Sequence, residues 1–202
     1  MATQTGERRM QILQTLASML ETPQGEKITT AALAARLDCS EAALYRHFAS
    51  KAQMYDGLIE FIEQSLFGVI NQITSEENQG IKQVELIVGL LLRFAQKNRG
   101  MTRVLIGDAL VNENERLQAR INALLDKVEA ALKQALRIAA TQENLKPDAD
   151  FAALANLLRC YVVGRWEQYA RSAFTREPLA QWPQQWPMLY FACLSQSGMP
   201  GG

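Results

Sequence analysis

Apolar side chains recur along this chain every three or four residues, the spacing that places them on one face of an α-helix. Ile12, Leu13, Leu16, Met19 and Leu20 form the first such stripe, which stops at the loop residues Pro23 and Gly25. Leu33 and Leu37 mark a short second helix, and Leu44 and Phe48 a third. Met54, Leu58, Phe61, Ile62, Leu66, Val69, Ile70 and Ile73 predict a longer fourth helix, closed by the polar stretch Thr74 to Gly80. A fifth, about Ile81 to Lys97, is apolar around most of its circumference, as suits the middle of a bundle. Asn98, Arg99 and Gly100 are expected to end it, and a short segment follows to about Gly107. Leu117, Ile121, Leu124, Val128, Leu132, Leu136 and Ala139 then hold one stripe over ~26 residues, roughly 39 Å of helix. After a loop containing Pro147, the residues Phe151, Leu154, Leu158, Tyr161, Val162, Trp166 and Tyr169 form another. Trp182-Pro183 and Trp186-Pro187 read as the brackets of a loop, because a residue before proline disfavours the α region. Met188 to Leu194 starts or continues a last helix, and the Gly-Met-Pro-Gly-Gly end is expected to fray. No stretch alternates with period two, so the expected fold is all-α.

The short helices before about residue 56 carry the most explicit local signals. Thr29 can cap the second helix, with Ile28 and Leu33 placed as a hydrophobic staple. Asp38 tolerates the left-handed backbone that a tight turn between helices needs. Ser40 can cap the third helix, and Ser50 with Gln53 forms a capping box for the fourth. Two short helices joined by about three residues are a helix-turn-helix arrangement. The same pattern fits a plain αα-hairpin. In the first arrangement Leu33, Leu37, Leu44 and Phe48 face inward, and Ala42, Ala43, Tyr45, Arg46 and His47 face outward. Small residues let a helix approach a groove, and Arg can make a forked contact to guanine. Tyr45, Lys51, Thr29 and Thr30 can reach phosphate oxygens.

Charge complicates this picture before it supports it. The 202 residues hold 21 Lys+Arg and 21 Asp+Glu, a net charge of zero, which at first argues against nucleic acid. Residues 1–56 are also balanced, with six basic and six acidic side chains. Only Lys27 to Tyr55 is positive, four basic (Lys27, Arg36, Arg46, Lys51) against two acidic (Asp38, Glu41). Positive charge is therefore local, with Arg8 and Arg9 as further candidates to face a duplex. Affinity is expected to come from specific contacts and from pairing two readers more than from diffuse attraction.

The residues Thr29-Thr30-Ala31, Leu33-Ala34, Ser40-Glu41-Ala42-Ala43-Leu44-Tyr45-Arg46-His47-Phe48 and Ser50-Lys51 resemble the DNA-binding signature of TetR-type repressors. Two positions depart from it: Asp38 stands where Gly is common, and Ala49 where Pro is common. The resemblance implies an N-terminal three-helix reader of double-stranded DNA over residues 1–52. It also implies a C-terminal helical bundle over 53–202 that dimerises and often holds a ligand. Thr29, Thr30, Ser40, Ala42, Ala43, Tyr45, Arg46, His47 and Lys51 are then the DNA contacts. The likeness runs on through Leu58-Ile59-Glu60-Phe61-Ile62-Glu63, Asn98 with Gly100, Thr102-Arg103, Arg116-Leu117-Gln118, Arg120-Ile121-Asn122 and Arg171-Ser172 with Phe174. Over about residues 8–190 it is similar to the branch of the family that acts in nucleoid occlusion. That branch implies the tubulin-like division protein FtsZ as partner and a cytoplasmic, nucleoid-associated location. Its partner face maps to Phe61, Leu90, Lys97 and Asn98. Lys97 replaces an Arg, and Val69 and Arg93 depart from the family's Arg and Gly.

Other constellations fit alternatives. Phe94, Cys160, Tyr161, Trp166 and Tyr169 could line a pocket for a small hydrophobic ligand that releases a transcriptional repressor from DNA. They could equally be packed core. Small residues Ala152, Ala153, Ala155 and Gly164 suit close packing of one helix against a twin, or against its own chain. Asp148 with Asp150, and Glu113 with Glu115, lie near helix starts where the dipole favours acids, so paired carboxylates need no catalytic role. One His and three Cys, at 39, 160 and 193, give no metal-site spacing, and the odd, scattered cysteines suit a reducing compartment. No apolar run approaches the roughly 20 residues of a membrane span, and no signal segment is read at the start. The expectation is a non-enzyme without a cofactor. A helical scaffold that binds no DNA is the third class.

Overall fold

The computed structural model describes residues 2–22, 28–142 and 150–194. The loops around Pro23 and Gly25 and around Pro147, with Asp148, and the Gly-Met-Pro-Gly-Gly end lie outside them. Among the described residues the helices are α1 (Ala2–Met19), α2 (Thr30–Arg36), α3 (Glu41–Tyr45), α4 (Lys51–Glu76), α5 (Gly80–Lys97), α6 (Arg99–Leu105), α7 (Glu115–Gln142), α8 (Phe151–Arg171) and α9 (Trp182–Leu194). A 3₁₀ turn, Asp108–Leu110, lies between α6 and α7, and no strand is present among these residues. Packing divides the chain into two compact units, one of residues 1–64 and 97–122, the other of 65–96 and 123–202.

The first unit buries the predicted stripes. Ile12, Leu16, Leu33, Leu44, Phe48, Met54, Leu58 and Ile62 are all buried, joined by Val104, Leu105, Leu117 and Ile121. The α5 helix stops at Lys97, but Arg99 and Gly100 begin α6 instead of trailing α5. Gly100 can sit in a helix there because it meets α1 backbone to backbone; a Cβ would stand 1.9 Å from the Ala17 carbonyl oxygen.

In the second unit Trp166 and Tyr169 are buried with Val84, Ile87, Val88, Leu91, Leu132, Leu136, Leu158 and Val162. The expected loop at residues 182–187 is overturned: α9 begins at Trp182 and runs through Pro187. Pro183 costs little, since N–H groups in a first turn have no helical partner. Pro187 forfeits one backbone bond, but an aromatic row offsets it. Trp182 stacks on Tyr161 of α8 at 6.2 Å and on Trp186 at 5.3 Å, and Trp186 meets Tyr190 at 6.1 Å. Packing of four large rings outweighs the local preference of the residue before proline.

Candidate nucleic-acid interface

The reader is built by caps. The Thr29 hydroxyl accepts from Ala32 N–H at 3.1 Å and the Ser40 hydroxyl from Ala43 N–H at 3.2 Å. Asp38 adopts φ 49°, the left-handed turn between α2 and α3. Ser50 accepts from Gln53 N–H at 3.2 Å, while the Gln53 side chain accepts from Ala49 N–H at 2.8 Å. The capping box is thus shifted by one residue, from the N–H of Ser50 to that of Ala49. A proline at 49 would have no N–H to give.

The α3 helix is five residues long, and Arg46 and His47 lie just past its end in a tightening turn, with His47 N–H donating to Leu44 C=O at 2.9 Å. Tyr45, Arg46 and Ala42 are exposed, Ala43 is half-buried, and Leu44 and Phe48 are buried beneath them. Among the described residues Arg46 has no ion pair. His47 is half-buried, and its Nδ1 is buried without a hydrogen-bond partner.

Three further features were not legible in the sequence. Arg8 and Arg9 do not project free toward a duplex; they hold helix ends. Arg9 donates to the His47 carbonyl and lies over the Phe48 ring at 4.1 Å. Arg8 donates to the Leu37 carbonyl at 3.4 Å, so the two arginines of α1 cap the C-terminal ends of α2 and α3. Thr30 donates to Glu41 at 2.5 Å and lies 3.5 Å from the Tyr45 hydroxyl, joining the start of α2 to α3. Lys51 pairs with Glu113 at 2.5 Å. No local signal links residues 62 positions apart.

The same neighbourhood holds Tyr55, 2% exposed and with its hydroxyl pKa pushed up from 10.0 to about 12, by burial first and by the Glu113 carboxylate second. An unfolded chain releases this proton nearer pH 10. Stability is therefore complete below pH 10 and falls as pH rises through about 12. Tyr55→Phe is expected to remove about 2 kcal/mol of that alkaline loss, measured as urea midpoints at pH 8 and pH 11.5.

Residues 26–58 match the family described as bacterial regulatory proteins of the tetR family. Residues 78–193 match the SlmA-like family, described as a tetracyclin repressor-like C-terminal domain. The nucleoid occlusion factor SlmA of Alteromonas mediterranea is 52% identical over 179 residues, 89% of this chain and 92% of the relative. That of Marinomonas sp. is 50% identical over 189 residues, 94% of this chain and 96% of the relative. This chain belongs to the SlmA family of TetR-type proteins. A TetR transcription regulator of Haloarcula marismortui shares its fold, with a TM-score of 0.76 at 17% identity over 93% of this chain and 98% of that one. So does the regulator FadR of Bacillus subtilis solved with stearoyl-CoA, at 0.74 and 13% over 95% and 99%.

The partner positions implied for the SlmA family fall in both units. Phe61 on α4 and Asn98 are half-buried and Lys97 is exposed in the first unit; Leu90 is half-buried in the second. Asn98 C=O accepts from both the N–H and the hydroxyl of Thr102, each at 2.9 Å. Arg116 and Arg120, two other residues of the SlmA likeness, pair with Asp56.

Of the five candidate pocket residues, Trp166 and Tyr169 are buried and bonded to backbone carbonyls. Trp166 Nε1 donates to Leu91 C=O at 3.0 Å, and the Tyr169 hydroxyl to Gln96 C=O at 3.1 Å. Tyr161 bonds Gln185 at 2.7 Å, Phe94 is half-buried, and Cys160 is exposed on the outer side of α8. Cys39 is half-buried in the turn between α2 and α3. Among the described residues no group of three His, Cys, Asp or Glu is placed to hold a metal ion, and no helix is long and apolar enough to cross a membrane.

Proposed function

We propose that this protein is a nucleoid occlusion factor. It binds specific sites on double-stranded DNA as a homodimer and, while bound, antagonises FtsZ and so holds back septum assembly over the chromosome. The observation that carries this is identity near one half with SlmA proteins across about nine-tenths of both chains. The exposed Ala42, Tyr45 and Arg46 on a capped, rigid support suit groove reading, with Thr29, Ser40, Ala43, His47 and Lys51 around them. Trp166 and Tyr169, each committed to a backbone carbonyl of α5, support the division reading over a ligand-released repressor.

A twin is supported by the outer faces of α8 and α9. Leu157 is 48% exposed, Met188 70% and Phe191 66%. A Cβ on Gly164 would meet nothing within 4 Å, leaving room for close approach of a second helix. Light scattering is expected to give twice the mass of one chain. For the function itself, purified protein with its DNA site is expected to reduce the FtsZ polymer recovered by sedimentation. Unchanged polymer, together with release from DNA by small hydrophobic ligands, favours the repressor instead.

A further inference from the structure

Lys51 opens α4, where a helix presents its positive end, so a lysine there is poorly placed without a counter-charge. Glu113 supplies one. The Lys51 Nζ stands 2.5 Å from Glu113 Oε1, with only 21% and 12% of the two side chains exposed. The amine also lies 5.6 Å from the centre of the Tyr55 ring, which confines it further. Glu113 comes from the turn before α7, after Asn112 at φ 65°, and is not part of the reader helices. Beside it lies a cavity of about 230 Å³ whose lining includes Tyr55, Arg103, Asp108 and Glu113, room into which the carboxylate can turn. Arg46, by contrast, is exposed and has no counter-charge among the described residues.

We propose that Glu113 is a specificity-determining residue of the DNA interface, holding Lys51 back from phosphates unless the duplex places one where the amine can exchange partners. This rests on the reading of residues 29–51 as that interface. Sequence-independent binding is driven by cations that neutralise phosphates and release condensed counterions. When Lys51 leaves Glu113 for a phosphate, it uncovers a carboxylate beside an anionic backbone. That carboxylate must then recruit a cation of its own, and the net ion release from this contact is lost. A random duplex gains little from Lys51. A site that fixes the protein through Arg46 and Tyr45 holds the phosphate in place long enough for the exchange to be favourable.

The test measures binding of the intact protein to a selected site and to a scrambled duplex across a salt series. The proteins are wild type, Glu113→Gln, Lys51→Ala and the double variant, with helix content checked by circular dichroism. Glu113→Gln is expected to bind the scrambled duplex about tenfold tighter at low salt. Its log–log salt slope is expected to steepen by about 0.9 per protomer, the contribution of one phosphate. The selected site is expected to gain less, so the specificity ratio falls. In the Lys51→Ala background the gain is expected to vanish. An unchanged slope in Glu113→Gln overturns the proposal. So does a gain that persists without Lys51, since the carboxylate then acts as diffuse charge. If Arg46→Ala loses the selected site while Glu113→Gln does nothing, only this proposal falls. If wild type binds neither duplex, the interface reading falls with it.

Discussion

Replacing Gly100 with alanine is expected to lower the thermal midpoint by roughly 6–12 °C, the equivalent of about 3 kcal/mol in a chain of this size. The added Cβ would stand 1.9 Å from the Ala17 carbonyl oxygen, 2.8 Å from its carbon and 3.1 Å from Leu20 Cβ. Neither of the Ala17 atoms belongs to a side chain that can rotate away. That carbonyl also accepts from Leu20 N–H at 3.1 Å, so a shift of the strand of atoms it belongs to disturbs the end of α1 as well. Nearby, Arg103 donates to the carbonyls of Leu20 at 3.3 Å and Thr22 at 3.0 Å, fastening the same end of α1 to α6. The consequence reaches function, because α1 carries Arg9, which holds the carbonyl of His47 at the end of α3. Gly68→Ala is the control. It lies inside α4 with nothing within 4 Å of the added carbon, and gains about 0.8–1 kcal/mol of helix propensity. Thermal melts of the two variants should move in opposite directions; equal shifts would show that the α1–α6 contact yields easily.

Arg46→Ala is expected to weaken binding to a selected DNA site by roughly 30-fold or more while leaving stability within about 0.5 kcal/mol. The side chain is exposed, lies just past the last residue of α3 and forms no ion pair among the described residues, so its removal costs the fold almost nothing. A forked contact to guanine is worth about 1–3 kcal/mol, and a homodimer with two readers loses it twice. The base preference at the contacted position should relax as well. Tyr45→Ala, removing a side chain 45% exposed, should weaken all sequences about equally if it touches phosphate. Fluorescence anisotropy at fixed salt, with selected and scrambled duplexes, separates the two patterns. Unchanged affinity in both variants would remove residues 29–51 from the interface.

Much of the reader was legible because its signals are local. A cap acts over three residues, so Thr29 and Ser40 could be assigned to Ala32 and Ala43 without coordinates. The left-handed backbone at Asp38 follows from steric preference at one position. Apolar stripes of 3.6-residue period located the long helices, and α7 runs 28 residues against the ~26 expected. The Trp-Pro pairs misled because the local rule was outweighed by ring packing that includes Tyr161 of α8, 21 residues before Trp182 and outside any local window. Arg99 and Gly100 misled for a related reason. Glycine after a polar residue resembles a helix stop, but here it is a point of backbone contact with α1.

The sequence by itself determined the all-α class, the capped helix-turn-helix and the likeness that leads to the SlmA family. Periodicity, capping and a dense motif are properties of neighbouring residues, and they survive without knowledge of the fold. Only the tertiary structure decided which charges remain available. Of the cations first expected at a duplex, Arg8 and Arg9 are spent on helix ends and Lys51 is paired with Glu113, while Arg46 has no ion pair among the described residues. Partners 29, 38 and 62 residues away set those fates. Electrostatic pairing depends on distance in space, and only the fold brings such distant positions within a few ångströms.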